Sequence, residues 1–156
     1  SLGMENTYFQ NSTGLPDENH FSSARDLANL TSNYINKFPD EYALYKQKQF
    51  TFNNIKQLNR NKLLWRDESA DGVKTGHTEA AGYCLVASAF RNGMRLISVV
   101  MGTESQISRA IESQKLLYNE LKNILFSQSE TYINVENKYD ISIFMKFRSN
   151  PAPKVK

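Results

Sequence analysis

The chain has 156 residues, of which 40% are hydrophobic and 22% charged, proportions that exclude a disordered or fibrous protein and favour one globular domain. Its formal net charge of +3 is slight, so we expect no nucleic-acid partner. Cys84 is the only cysteine, which excludes an intramolecular disulfide, and no stretch approaches the ~20 consecutive apolar residues that span a bilayer.

The first predicted helix follows a polar loop at residues 11–19. Ser23 is a candidate helix cap, and Asp26 three positions later makes an acidic variant of the capping box. Pro39 is expected to end the helix. Before Pro39, mostly apolar and aromatic residues recur at helical spacing and predict a buried stripe on this helix. The stripe consists of Leu27, Thr31, Tyr34, Ile35 and Phe38.

The next segment predicts one more helical turn and a hairpin. Residues 40–45 extend the helical pattern by a turn. Residues 46–58 contain two aromatic residues, Phe50 and Phe52, followed by Asn53 and Asn54, an arrangement typical of a short β-hairpin.

The centre of the chain predicts an antiparallel sheet. Two nearly continuous apolar runs, residues 82–90 and 94–101, flank the turn signal Arg91-Asn92-Gly93 and favour strands buried on both faces. A strand over residues 71–78 precedes them.

A long amphipathic helix is predicted from Ser105 onward, where it would cover one face of this sheet. Its apolar positions are Ile107, Ala110, Ile111, Leu117, Leu121, Ile124 and Leu125. After Phe126 the character changes, and residues 127–156 hold two short β-prone patches and a basic, proline-containing end. We interpret 127–156 as a divergent basic tail, the product of a frameshifted or decayed gene end. Its Arg148, Lys154 and Lys156 are the only basis for attachment to anionic surfaces.

Lys74-Thr75-Gly76 is the motif that points to chemistry. It lies in DGVKTGHTEAAGYCLVASA, between an Asp-Gly turn and an apolar strand. On an exposed strand edge these residues offer an ammonium, a hydroxyl and a backbone free of any side chain. That combination suits the binding of a carboxylate while a neighbouring carbonyl is attacked.

This block resembles the third motif of the serine-type D-Ala-D-Ala carboxypeptidases, the low-molecular-mass penicillin-binding proteins of peptidase family S11. Three further blocks resemble the same family in the same order. They are NTYFQNSTGLPDENHFSSARDLANL, QFTFNNIKQLNRNKLLW and MRLISVVMGTES. The resemblance covers residues 2–117, about three quarters of the chain.

The resemblance implies roles for individual residues. Lys74 is the catalytic residue that polarises the active-site hydroxyls. Thr75 and Gly76 bind the substrate, and Thr75 does so by a hydrogen bond to the substrate's terminal carboxylate. Arg60 adds a guanidinium, whose planar charge suits a carboxylate. Two further residues are implied in substrate binding, His77, which tunes the site, and Arg109, whose side chain can lie along the cleft.

Two family motifs have no counterpart in this sequence. No serine is followed three residues later by lysine, and none two residues later by asparagine. The family's nucleophile and base belong to those motifs. We therefore expect residues 1–126 to be a partial catalytic domain lacking its nucleophile segment, and inactive alone.

The fold implied is α/β (α+β): a partial β-lactamase or transpeptidase-like domain with an antiparallel sheet and flanking helices. The function implied is removal of the terminal D-Ala from peptidoglycan pentapeptides. The alternative is a non-catalytic module that binds peptide C-terminal carboxylates. Peptidoglycan pentapeptide or β-lactam is the expected partner, with no cofactor and no metal, since two histidines without clustered ligands make no metal site.

Location in the periplasm or cell envelope is also implied, although residues 1–11 hold no signal peptide and the family's membrane anchor is absent from the chain. Without the preceding part of the family domain, we expect exposed apolar surface, an unpaired strand edge and poor solubility.

Overall fold

The computed structural model describes residues 2–91, 93–126 and 141–146, with side chains described as far as residue 119. Two helices and a short 3-10 turn open the fold, followed by a hairpin, a third short helix, three long strands, a long helix and a last strand. The elements are α1 (Ala24–Lys37), α2 (Pro39–Tyr42), the 3-10 turn (Ala43–Lys46), β1 (Gln49–Phe52), β2 (Ile55–Leu58), α3 (Leu63–Arg66), β3 (Ala70–Thr78), β4 (Gly82–Arg91), β5 (Met94–Thr103), α4 (Gln106–Phe126) and β6 (Ile141–Lys146).

The main sheet has the order β3-β4-β5-β6 and confirms the predicted α/β class. Strands β3, β4 and β5 form the predicted antiparallel meander. Strand β6 departs from the prediction, because it pairs parallel to β5 and covers the outer edge of that strand. The long helix α4 lies between them, and such a crossover returns the chain in the same direction. Among the described residues, β3 has a neighbouring strand on one side only, so an unpaired strand edge is present there.

The two faces of the sheet carry separate apolar cores. Helix α1 packs on one face through Ala24 and Ala28, which meet Ile97 and Val99 of β5. Helix α4 covers the opposite face, where Leu117 joins a buried cluster of sheet residues and the short helix α3. Described residues include no helix of the length and apolarity required to cross a membrane.

Helix α1 begins as predicted, and its buried face includes Thr31 of the predicted stripe together with the small residues beside it. The Ser23 side chain accepts a hydrogen bond from the Asp26 amide at 3.1 Å. The carboxylate of Asp26 does not complete a capping box and instead accepts bonds from Thr7 Oγ1 and the Asn6 amide. The Thr7 hydroxyl is the main reason that the pKa of Asp26 is lowered. The predicted stripe was partly wrong: Phe38 is 48% exposed and Leu27 and Ile35 only half-buried, because small residues of α1 face the sheet.

The segment between α1 and β3 forms the predicted helical turn and hairpin. Strands β1 and β2 pair in antiparallel register through a turn in which Asn53 and Asn54 both have positive φ. Their side chains favour that backbone conformation more than most residues do. The predicted turn between β4 and β5 is present at Gly93, with φ of 79°, while Asn92 lies outside the described residues.

Two polar networks hold the start of β3. Tyr42 Oη donates to Asp71 Oδ1 at 2.8 Å, and Arg95 forms an ion pair with the same carboxylate. Burial, followed by the charge of Asp71, raises the pKa of Tyr42. The buried amide of Asn61 donates to the Gly72 carbonyl at 2.9 Å and accepts from the Leu63 amide at 3.1 Å. These contacts connect α2, α3 and β3 directly upstream of Lys74.

We expect Asn61→Ala to lower the free energy of unfolding by about 1–3 kcal/mol, because two buried backbone groups lose their partners. Asn61→Asp should cost at least as much, since its oxygen would face the Gly72 carbonyl oxygen. Urea unfolding measures both changes. Asn19→Ala, at an exposed loop position, is the control and should cost less than about 0.5 kcal/mol. Equal stability of the Asn61 and Asn19 variants would contradict this account.

Candidate functional site

The motif residues lie on an edge strand of the sheet. Lys74 and Gly76 of β3 stand opposite Val86 and Cys84 of β4. Val86 packs against the core beneath α1, so strand alternation places Lys74 and Gly76 on the face that α1 covers. The other edge of β3 has no strand beside it among the described residues. A ligand can therefore approach both the side chains and the backbone of this strand.

A cleft of about 390 Å³ with both polar and apolar lining brings three of the predicted residues together. Arg60 enters it from the segment after the hairpin, while Lys74 and Thr75 enter it from β3. The full lining consists of Tyr34, Glu41, Leu44, Tyr45, Asn59, Arg60, Val73, Lys74 and Thr75. The sequence blocks that hold Arg60 and Lys74 thus meet in space.

The cations of the cleft are available to a ligand. Lys74 is exposed, and its Nζ donates to the Thr75 carbonyl at 2.7 Å. Across the residues with described side chains, neither Lys74 nor Arg60 forms an ion pair. Glu41 supplies a carboxylate to the lining but lies beyond ion-pair distance of both. The cleft therefore offers two positive charges to an anion.

A second cavity of about 400 Å³ adjoins the cleft between α1 and the sheet. Most of its lining is apolar, and Lys74, Thr75 and Gly76 form part of one wall. The predicted exposure of apolar surface is visible here. Cys84 is half-buried and lines this cavity, where its thiol donates to the Ala81 carbonyl at 3.4 Å.

Two tyrosines line both cavities, and the sequence did not identify either as a site residue. The rings of Tyr34 and Tyr45 meet edge to face with centroids 5.8 Å apart. Burial, followed by a hydrogen bond with Tyr45, raises the pKa of Tyr34. Tyr34 was assigned to the buried stripe of α1. Tyr45 follows Pro39 in a turn without periodicity, and only its proximity to Arg60 and Lys74 in the fold reveals its position.

His77 lies one residue beyond the motif and lines neither cavity. Its exposed ring packs edge to face on Tyr83 across the strand pair, with centroids 3.8 Å apart. The contribution of His77 to ligand binding stays a prediction. Over the described residues, no three His, Cys, Asp or Glu side chains are grouped so that they could hold a metal ion.

Arg109 supports the motif strand instead of lining the cleft. It projects from α4, is 3% exposed, and donates through Nη1 to the Gly76 carbonyl at 2.9 Å and to the Cys84 carbonyl at 3.4 Å. Its guanidinium also lies over the Tyr83 ring, 5.5 Å from the centroid. Burial, with the nearby charge of Arg60 adding to it, lowers the pKa of Arg109. Two carbonyl oxygens and an aromatic ring are thus the partners of the Arg109 guanidinium.

The sequence profile of the D-alanyl-D-alanine carboxypeptidase family matches residues 1–105 of this chain. D-alanyl-D-alanine carboxypeptidase DacA of Escherichia coli K12 is 53% identical over 118 residues, which are 75% of this chain and 29% of that protein. DacA of Haemophilus influenzae is 49% identical over 143 residues, 90% of this chain and 35% of that protein. The chain spans about a third of the length of these curated relatives.

Solved structures show the same likeness. Penicillin-binding protein 5 from Haemophilus influenzae is 51% identical, with a TM-score of 0.75 over 78% of this chain and 36% of that one. Penicillin-binding protein D2 from Listeria monocytogenes, solved in a cefotaxime-bound form, is 32% identical, with a TM-score of 0.70 over 75% of this chain and 49% of that one.

Arg109→Met keeps the apolar stem of the side chain but removes the donor from two carbonyls. We expect a loss of about 1–3 kcal/mol in the free energy of unfolding. Backbone amides of residues 74–78 should also exchange faster with deuterium. Arg25→Met, at an exposed position of α1, is the control and should change neither quantity. Unaltered exchange in β3 of the Arg109 variant would show that Arg109 does not support the strand.

Proposed function

Because the chain belongs to the D-alanyl-D-alanine carboxypeptidase family, we propose that its cleft binds the terminal carboxylate of a D-Ala-D-Ala peptide or the corresponding carboxylate of a β-lactam. The observation that carries this proposal is the meeting of Arg60, Lys74 and Thr75 in one cleft. Two unpaired cations match the charge and hydrogen-bonding needs of a carboxylate, and Thr75 lines the same cleft. The cefotaxime-bound form of the Listeria relative supports the β-lactam part of the proposal.

The reaction we propose for the whole enzyme is serine-type removal of the terminal D-Ala from peptidoglycan pentapeptides in the cell envelope. In that reaction a serine hydroxyl attacks the penultimate carbonyl, the terminal D-Ala leaves, and water releases the acyl group. Arg60 and Thr75 hold the leaving residue by its carboxylate, and Lys74 supplies positive charge beside the reacting groups. Gly76 leaves the strand backbone open to the substrate, and Arg109 holds that backbone from behind.

His77 is proposed to tune the site through its contact with Tyr83. The alternative of a non-catalytic binding module gains no support from the curated relatives, which are carboxypeptidases by name.

The 156-residue chain supplies the carboxylate-binding wall and, we propose, no acyl transfer by itself. Its sequence holds neither Ser-x-x-Lys nor Ser-x-Asn, the motifs that provide nucleophile and base in the family. Residues 1–126 correspond in this proposal to part of the catalytic domain, and β6, in the segment that we interpreted as a divergent tail, adds a strand to the same sheet.

Binding of a short D-Ala-D-Ala peptide by this chain tests the cleft. We expect Arg60→Ala to weaken binding about tenfold or more, because a charge-assisted hydrogen bond to the carboxylate is lost. Glu41→Gln should strengthen binding, since it removes the negative charge of the cleft. Isothermal titration measures both affinities, and Arg25→Ala, exposed on α1, is the matched control. Equal affinities across all variants would reject the cleft as the carboxylate site.

A fluorescent penicillin tests whether the chain alone carries out acyl transfer. We expect no covalent label on the 156-residue chain after denaturing electrophoresis, because the reacting serine and its base are absent from the sequence. A full-length D-alanyl-D-alanine carboxypeptidase in a parallel reaction should be labelled. A stable label on this chain would contradict the proposal and show that another residue serves as nucleophile.

A further inference from the structure

The hairpin β1-β2 presents an apolar face to solvent. All eight strand residues are exposed, and the strands pair only with each other among the described residues. The register sets Phe52 opposite Ile55 and Phe50 opposite Gln57, so these side chains share one face. Phe50, Phe52 and Ile55 are 59%, 61% and 63% exposed. Three large apolar side chains thus lie together on one exposed face, which makes this face a candidate interaction surface.

The charges of the same segment are all positive, although Lys56, which pairs with Thr51, lies on the hairpin face opposite the three apolar side chains. Residues 43–62 hold five basic side chains and no acidic one. The five are Lys46, Lys48, Lys56, Arg60 and Lys62. Where side chains are described, none of the five forms an ion pair. A surface of this kind attracts an anionic partner.

The base of the hairpin is continuous with the cleft. Asn59 Nδ2 donates to the Gln47 carbonyl at 2.9 Å and to the Tyr45 carbonyl at 3.3 Å, which fixes the end of β2 beside the 3-10 turn. Asn59 and Tyr45 both line the cleft that holds Lys74. Four extended residues reach about 13 Å, so the apolar face lies within one short peptide length of the cleft.

We propose that the β1-β2 hairpin is a second binding surface, one that holds the body of an anionic glycan-peptide polymer while its peptide end occupies the cleft. The polymer class is that of the peptidoglycan strand, so this inference rests on the proposed function. Lysines select the acidic side chains and carboxyl groups of the polymer. The phenylalanine rings pack against the apolar faces of its sugar rings, which a purely ionic polymer does not offer.

An anionic lipid bilayer shares both charge and apolarity with this partner, but the position of the hairpin favours the polymer. The cleft that holds Arg60 and Lys74 also holds Asn59 at the end of β2, so a polymer with its terminal carboxylate in the cleft can contact the hairpin as well. Two linked contacts strengthen each other through effective concentration. A bilayer that touched the hairpin would place no group in the cleft.

Co-sedimentation of the 156-residue chain with purified peptidoglycan sacculi tests this surface. We expect Phe50→Ser/Phe52→Ser and, separately, Lys48→Gln/Lys56→Gln to weaken sedimentation at least tenfold. The lysine pair guards against misfolding, because it leaves the apolar face intact. Ile107→Ser, which replaces a 62% exposed residue on α4, is the apolar control, and Lys37→Gln on α1 is the charge control. Neither control should change sedimentation.

The affinity for a soluble D-Ala-D-Ala peptide separates this inference from the proposed function. Hairpin variants should leave that affinity unchanged, because the peptide is too short to reach β1 and β2. Suppose that neither the unmodified chain nor any variant binds the peptide, while binding to sacculi still depends on the hairpin. The proposed function is then rejected, and the hairpin surface is still supported.

Three results would overturn the inference. The first is sacculus binding that neither hairpin pair changes. The second is a loss of sacculus binding in the lysine double variant but not in the phenylalanine double variant, which would indicate a site for any polyanion. The third is tighter binding to phosphatidylglycerol-containing vesicles than to sacculi, lost in the same variants, which describes a membrane surface.

Discussion

The structure depends on holding strand β3 in place at the edge of its sheet. Ladder hydrogen bonds with β4 hold one side of the strand, and no strand among the described residues pairs with its other side. An edge strand with only one neighbour needs further support, which here comes from side chains at two points. Asn61 binds the Gly72 carbonyl before the motif, and Arg109 binds the Gly76 carbonyl within it. Both supports are buried, so they act on the strand without occupying the cleft.

The charge distribution around this strand follows from the same arrangement. Arg60 and Lys74 meet in the cleft without a paired carboxylate among the described side chains, and Arg109 lies behind the strand. The charge of Arg60 contributes, after burial, to the lowered pKa of Arg109. The buried guanidinium is tolerated because carbonyl oxygens and the Tyr83 ring replace part of its hydration.

Local sequence patterns predicted most of the helices and strands. The features that they did not predict depend on contacts between residues that are far apart in the chain. The Ser23 cap, the Asn53-Asn54 turn and the apolar runs of β4 and β5 each express a preference of neighbouring residues. The buried face of α1 was only partly predicted. Ala24 and Ala28 allow the helix to approach β5 closely, and a search for the spacing of large apolar residues does not detect such small residues. Arg60 and Lys74 were connected only through family resemblance. Tyr45, Asn61 and the strand-facing direction of Arg109 depend on folded proximity.

The shared wall of the two cavities has a thermodynamic consequence. Lys74, Thr75, Tyr34 and Tyr45 line both the cleft and the apolar cavity. Val73 belongs to the same wall. A group that filled the apolar cavity would therefore contact residues that also border a ligand in the cleft. If it changed their positions, the two bindings would be coupled, and each would change the affinity for the other by the same factor.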